Sequence, residues 1–134
     1  MNQSQYEDRV QFIESEQIME VDFSELTFDN SAMVDEFYDV VEKGISERGN
    51  EKWYFLVNYR NTRIFELAWI RFAQRGKRVN LASSLGSVRY AARDEVGQSM
   101  ASSAQREQFD LNLFVSREDA IAEIQRMKEA SALG

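Results

Sequence analysis

Side chains able to do chemistry are unevenly supplied in this 134-residue chain, which has 23 carboxylates, 16 lysines and arginines, five tyrosines, and neither histidine nor cysteine. Histidine is the usual general base near neutral pH and the commonest neutral metal ligand. Its absence rules out Ser-His-Asp and Cys-His devices, and the absence of cysteine rules out disulfides, thiol chemistry and thiolate metal sites. Any catalysis would fall to carboxylates, lysine, tyrosine or a bound cofactor. The carboxylates of "DEFYDVVE", residues 35–42, lie along one helical surface. Glycosidase-like chemistry instead needs two carboxyls facing each other across a cleft. We therefore expect no catalytic residues, no metal and no cofactor.

Charge is the second chemical signal. Residues 1–59 hold 14 acidic and four basic side chains, residues 60–93 one acidic and eight basic, and residues 94–134 eight acidic and four basic. The overall charge of −7 thus hides a basic segment built from Arg60, Arg63, Arg71, Arg75, Lys77, Arg78, Arg89 and Arg93. Planar guanidinium groups suit carboxylate and phosphate oxygens in pairs. Arg60, Arg71, Arg75, Lys77, Arg78 and Arg89 are therefore candidates for receiving an acidic protein, a second copy or a small anion. The competing reading makes them solvated positions balanced by the acidic helix that begins near Ser31. Nucleic acid is a poor partner, because the flanking segments would repel a phosphate backbone and no aromatic residues are interleaved with the basic ones. "GKRVNLASS", residues 76–84, lacks the glycine-rich cradle of a phosphate loop.

The elements that would position these groups follow from apolar spacing. "VQFI" (10–13) and "QIMEVDF" (17–23) read as a hairpin joined by "ESE". The first eight residues are polar and are expected to be loose. Asp29, Asn30 and Ser31 can each accept hydrogen bonds from a first helical turn. Met33, Val34, Phe37, Tyr38, Val41 and Ile45 then continue one apolar face towards Gly49. "KWYFLVNY" (52–59) is apolar at nearly every position, as a central strand covered on both faces would be. A second helix should bury Phe65, Ala68, Trp69, Phe72 and Ala73, with Arg71, Arg75, Lys77 and Arg78 leaning outward. It should end near Gly76 or continue weakly to Ser83. A turn at Gly86 leads into a short strand, residues 94–109 have modest helical character, and "LNLFV" (111–115) is a strand. A last helix follows, capped by Ser116, with Ala120, Ile121, Ile124 and Met127 inward. Trp53 and Trp69 read as core residues. No boundary or repeat is visible, so one α/β domain over 1–134 is expected, with a mostly parallel sheet of four to five strands and about four helices. No apolar run approaches a membrane span and no signal segment opens the chain, so a cytoplasmic location without membrane insertion is expected.

In its order of elements, and in "DFSELTFDNSAMV" (22–34) and "FVSREDAIAEIQRM" (114–127), the chain resembles the STAS-like fold of bacterial anti-sigma-factor antagonists and of small uncharacterised bacterial proteins. Asp22, Phe23 and Ser24 resemble that family's Asp-Leu-Ser-like strand end. Asp29, Asn30 and Ser31 resemble its Asp-Ser-Ser-Gly element, with a spacing one residue shorter and Ala32 in place of the glycine. The resemblance implies a non-catalytic regulatory or protein-interaction domain and places Ser31 on the serine that a partner kinase modifies. The alternative function is a carrier of a small anionic or lipidic ligand reached by Arg60 or Arg89.

Overall fold

Strand β4 (Trp53–Asn58) is buried along almost its whole length, and the rest of the chain is arranged around it. The computed structural model describes residues 5–91 and 113–133. Alternate β4 side chains enter two separate cores: Trp53, Phe55 and Val57 on one face, Tyr54 and Leu56 on the other. This is why the run is apolar at every position, since a half-exposed strand would alternate.

The sheet has the order β1–β2–β4–β6–β7. β1 (Val10–Ile13) and β2 (Ile18–Asp22) form the expected antiparallel hairpin across a short 3-10 turn at Glu14–Glu16. β4, β6 (Ser84–Tyr90) and β7 (Leu113–Phe114) continue it in parallel. Helices α1 (Ser31–Glu47) and α2 (Glu66–Ser83) cover one face, and α3 (Arg117–Leu133) covers the other through Ala120 and Ile124. The result is a layered α/β fold with a mixed, mostly parallel five-stranded sheet and three substantial helices among the described residues. Arg93 and the expected helix over 94–109 lie outside those residues.

Local chemistry explains the element ends. Asn30, not Ser31, caps α1: its side-chain oxygen accepts the Met33 N–H at 3.0 Å. Gly44, which weakens the helix by propensity, is where the Phe12 ring packs, and an added Cβ would lie 2.8 Å from it. Gly76 does not end α2. It lets the Tyr38 hydroxyl approach from α1, and an added Cβ would stand 3.2 Å away. α2 then runs without a loop into β6, whose start carries a bulge opposite Trp53 and Tyr54.

Several expectations are corrected here. Tyr6 is completely buried against Phe37, with ring centroids 5.0 Å apart, so the amino-terminal segment is pinned to the core from that residue onward. Arg9 reinforces this by donating to the carbonyl oxygens of Asp22 and Ser24. Phe65 lies at the head of α2 and is 49% exposed, outside the buried face on which the apolar spacing puts it. The buried stripe of α2 is Ala68, Phe72, Arg75, Val79 and Ser83. Phe23 sits at the centre of an aromatic cluster with Phe28, Phe37, Tyr59 and Phe72, at centroid distances of 4.6 to 5.7 Å. Such pairs are worth about 0.5–1.5 kcal/mol each beyond their burial.

A two-strand element absent from the sequence reading ties the layers together. β3 (Thr27–Phe28) pairs in parallel with β5 (Arg63–Ile64) just before the two helices begin. Its register is 36 residues, the same as that between β2 and β4, where Ile18 faces Tyr54 and Asp22 faces Asn58. Two consecutive strand–turn–strand–helix units therefore lie side by side in one constant register, a structural repeat with no matching repeat of residue types.

Candidate functional site

The carboxyl ends of β2, β4 and β6 are level: Asp22, Asn58 and Tyr90 are neighbours across the sheet. Open parallel sheets place ligands at this edge. Here, however, the polar groups are largely spent on the turns themselves. The Asp22 carboxylate accepts the Ser24 N–H, and the Asn58 side chain accepts the Arg60 N–H, each at 2.9 Å, so both strands end in the same side-chain-closed turn. The next residues, Glu25 and Asn61, are left-handed with φ of 62° and 51°. They clasp each other through an Asn61 Nδ2 hydrogen bond to Glu25 Oε1 at 2.9 Å. Arg60 extends over this clasp, 3.5 Å from Glu25, with its side chain mostly in solvent. Buried Thr62 donates to the Phe23 carbonyl and closes the turn from beneath.

Ser31 is half-buried in the first turn of α1. Its hydroxyl lies 3.5 Å from the Leu67 carbonyl oxygen, so it stands at the mouth of the seam between α1 and α2. From there the helices keep the 36-residue register and set acids opposite bases. Asp35 faces Arg71 at 3.7 Å, Asp39 faces Arg75 at 2.9 Å, and Glu42 faces Arg78 at 2.9 Å.

Arg75 is the hub of that seam and corrects the expectation that it leans outward. It is only 6% exposed and donates to Asp35 and Glu42 at 2.7 Å as well as to Asp39. Its guanidinium lies 5.7 Å from the Tyr38 ring centroid. Burial alone would lower the Arg75 pKa, but the hydrogen bonds it donates to Asp39, Glu42 and Asp35 outweigh it and raise the value. Burial would likewise raise Glu42, yet the hydrogen bonds from Arg78 and Arg75 hold it below the ordinary carboxylate range. Three of the six basic candidates, Arg71, Arg75 and Arg78, are thus engaged by the acidic helix of the same chain. At these three positions the basic charge is balanced by α1, although Arg75 is buried rather than solvated.

The other three basic candidates sit on three different parts of the fold. Arg60 is on the carboxyl edge. Lys77 is half-buried on α2, and Arg89 on β6 has a side-chain hydrogen bond with Tyr59. Burial pushes the Tyr38 and Tyr59 phenols upward, and the positive charge of Arg89 opposes this at both. An open depression of about 670 Å³ exists at the opposite edge of the sheet, lined by Glu14, Gln17, Arg48, Glu51, Lys52 and Trp53. None of the predicted site residues reaches it.

One surface escaped the sequence reading. Opposite the buried stripe of α2, Leu67 is 82% exposed, Ile70 70% and Leu81 67%, with exposed Gln74 between them. Phe65 adds a half-exposed ring at the head of the same helix. The available signal was that Leu67, Ile70 and Leu81 fall off the stripe that buries Ala68 and Phe72, so α2 is apolar on two sides. Leu67 is also the residue whose carbonyl faces the Ser31 hydroxyl, which places that serine beside the amino-terminal end of the exposed row.

Among the described residues, no helix is long and apolar enough to cross a membrane, and no group of three or more carboxylates is placed to hold a metal ion. In comparison with known proteins, no family model and no curated protein matches the chain.

Proposed function

We propose that the chain is a non-catalytic, cytoplasmic protein-interaction domain of the STAS-like kind, with its docking surface on the outer face of α2 and the adjoining start of α1. The observation that carries this is the row of large apolar side chains held in solvent on α2. A contiguous apolar patch rimmed by polar residues is the usual mark of a docking surface. The ion-paired seam supports it, because Arg71, Arg75 and Arg78 of α2 are already engaged by α1 and leave the apolar row as the distinctive feature of that face.

Ser31 has the geometry of a control point for the surface. A phosphate there would bring about 1.5–2 negative charges to the end of the apolar row and disfavour a partner that buries Leu67. The unmodified hydroxyl leaves that edge neutral. Asp35, one turn further along α1, is already engaged by Arg71 and Arg75, so the phosphate would be the unmatched charge at that edge.

The test is a paired substitution, Leu67→Glu with Ile70→Glu, in the full chain used as bait for its bound protein. Both side chains are solvent-facing, so the far-UV circular dichroism and the melting temperature should stay within error of the parent. Binding should fall by at least tenfold. Undiminished binding by a folded variant would remove this surface from consideration.

A further inference from the structure

We propose that the occupant of the α2 face is a second copy of this chain, packed helix against helix about a two-fold axis passing beside Gln74. The inference rests on reading that face as a docking surface, and it names the partner.

Three features select a second copy. The first is spacing. Leu67 and Leu81 each lie seven residues from Gln74, on opposite sides of it along the helix. An antiparallel pair of α2 helices centred there sets Leu67 of each copy opposite Leu81 of the other, with the two Gln74 side chains meeting on the axis. A self-complementary patch of this sort is what a two-fold interface requires, because each surface must fit its own rotated image. Seven-residue spacing also returns side chains to nearly the same side of a helix, so the contact can run along its length. α2 has 18 residues and a length of about 27 Å, enough to carry two such Leu–Leu contacts and the amides between them.

The second feature is area. The exposed parts of Leu67, Ile70 and Leu81 come to about 400 Å² of apolar surface, within the range of the largest patch on a typical monomer. With Gln74 at its centre and Glu66 and Arg78 at its rim, this patch would form the apolar middle of an interface whose standard size is about 800 Å² per partner. The third is charge. The chain carries −7 overall, whereas the exposed charged positions of α2 are one acid, Glu66, and two bases, Arg71 and Arg78. Arg71 and Arg78, at the margin, are matched by Asp35 and Glu42 of the same copy. Two strongly acidic molecules meet with least repulsion where each is locally neutral.

The absence of cysteine makes a direct test possible, since any introduced thiol is the only one present. In the full chain, Gln74→Cys places two thiols on the axis and should convert most of the protein to a disulfide-linked pair under mild oxidation. Ala122→Cys, exposed on α3 across the sheet, serves as the control and should stay largely monomeric. Light scattering of the parent chain over a concentration series should approach twice the 15.6 kDa mass. Ile70→Glu combined with Leu81→Glu should return it to a single mass while circular dichroism stays unchanged. A parent chain that remains monomeric throughout, or Gln74→Cys linking no faster than the control, overturns the proposal. If the parent is monomeric while Leu67→Glu/Ile70→Glu still releases a different bound protein, the docking surface stands and only the second copy is wrong. If neither self-association nor partner binding responds to these substitutions, the docking reading itself fails.

Discussion

Replacing Arg75 with methionine should expose how strongly the seam between the first two helices depends on one cation. The substitution keeps an unbranched side chain of similar reach but removes three charge-assisted hydrogen bonds, to Asp35, Asp39 and Glu42. Breaking a buried pair from one side costs about 3–5 kcal/mol when the orphaned charge cannot escape. Here the orphans have outlets. The Asp39 side chain is already 53% exposed, Glu42 keeps Arg78, and Asp35 keeps Arg71. A loss of about 2–3 kcal/mol at neutral pH is therefore expected, or roughly 6–12 °C in melting temperature for a chain of this length. The pH dependence carries the diagnosis. In the parent, Glu42 has a lowered pKa, so its stabilisation is present above the ordinary carboxylate value and is lost as pH falls through the folded value. In the variant Glu42 loses one of the two cations that hold its value down, so less of this stabilisation remains to be lost. The stability gap between parent and variant should then be widest near pH 7 and should shrink as pH falls below the ordinary carboxylate value of Glu42. Urea unfolding followed by circular dichroism at both conditions measures it. A gap below about 0.5 kcal/mol, or one of equal size at both pH values, would refute the account of Arg75 as a charge hub and leave it a packing residue.

Three further outcomes follow from local geometry. Asn30→Ala should destabilise the chain by about 1 kcal/mol in chemical unfolding, whereas Ser31→Ala should cost much less, because Asn30 holds the capping bond and the Ser31 hydroxyl makes only a long contact. Equal costs would contradict the cap assignment. Gly44→Ala should destabilise by about 1–2 kcal/mol despite its better helix propensity, since the new methyl group meets the Phe12 ring at 2.8 Å; a stabilised variant would mean the ring yields freely. The Tyr90 phenol is pushed up to about 12 by burial and then by the nearby Glu20 carboxylate. Its contribution to stability is thus complete below the ordinary phenol value and is lost as pH rises through about 12. Tyr90→Phe should remove one late-titrating phenol from the alkaline absorbance titration, and an unchanged late phase would show that Tyr90 titrates normally.

How much of this was legible from residue order differs by element. The central strand could be read because five consecutive buried positions leave an unmistakable apolar run, and its two-sided burial follows from that run. The first helix could be read because its apolar residues recur at helical spacing and a capping residue precedes them. β3 and β5 could not, because two residues form no periodic pattern and their pairing partner is 36 residues away. Tyr6 was hidden for a similar reason. A single aromatic in a polar stretch has no period, and its burial depends on Phe37 being brought alongside. Arg75 was misplaced because residue type argues for solvent, while position on the helix puts it on the stripe with Phe72 and Val79.

The sequence by itself determined the alternation of strands and helices, the exclusion of histidine- and cysteine-based chemistry, and the segregation of acidic from basic charge. It even contained the matching intervals of Asp35, Asp39 and Glu42 with Arg71, Arg75 and Arg78. Only the tertiary structure decided that these intervals face one another. Two parallel strand–helix units set in a 36-residue register convert separated charges into neighbours within about 4 Å, where Coulomb attraction and hydrogen bonding are strong. The same register turned one side of the second helix towards the acids and the core. It left Leu67, Ile70 and Leu81 facing water, an exposure set by where the neighbouring elements stop.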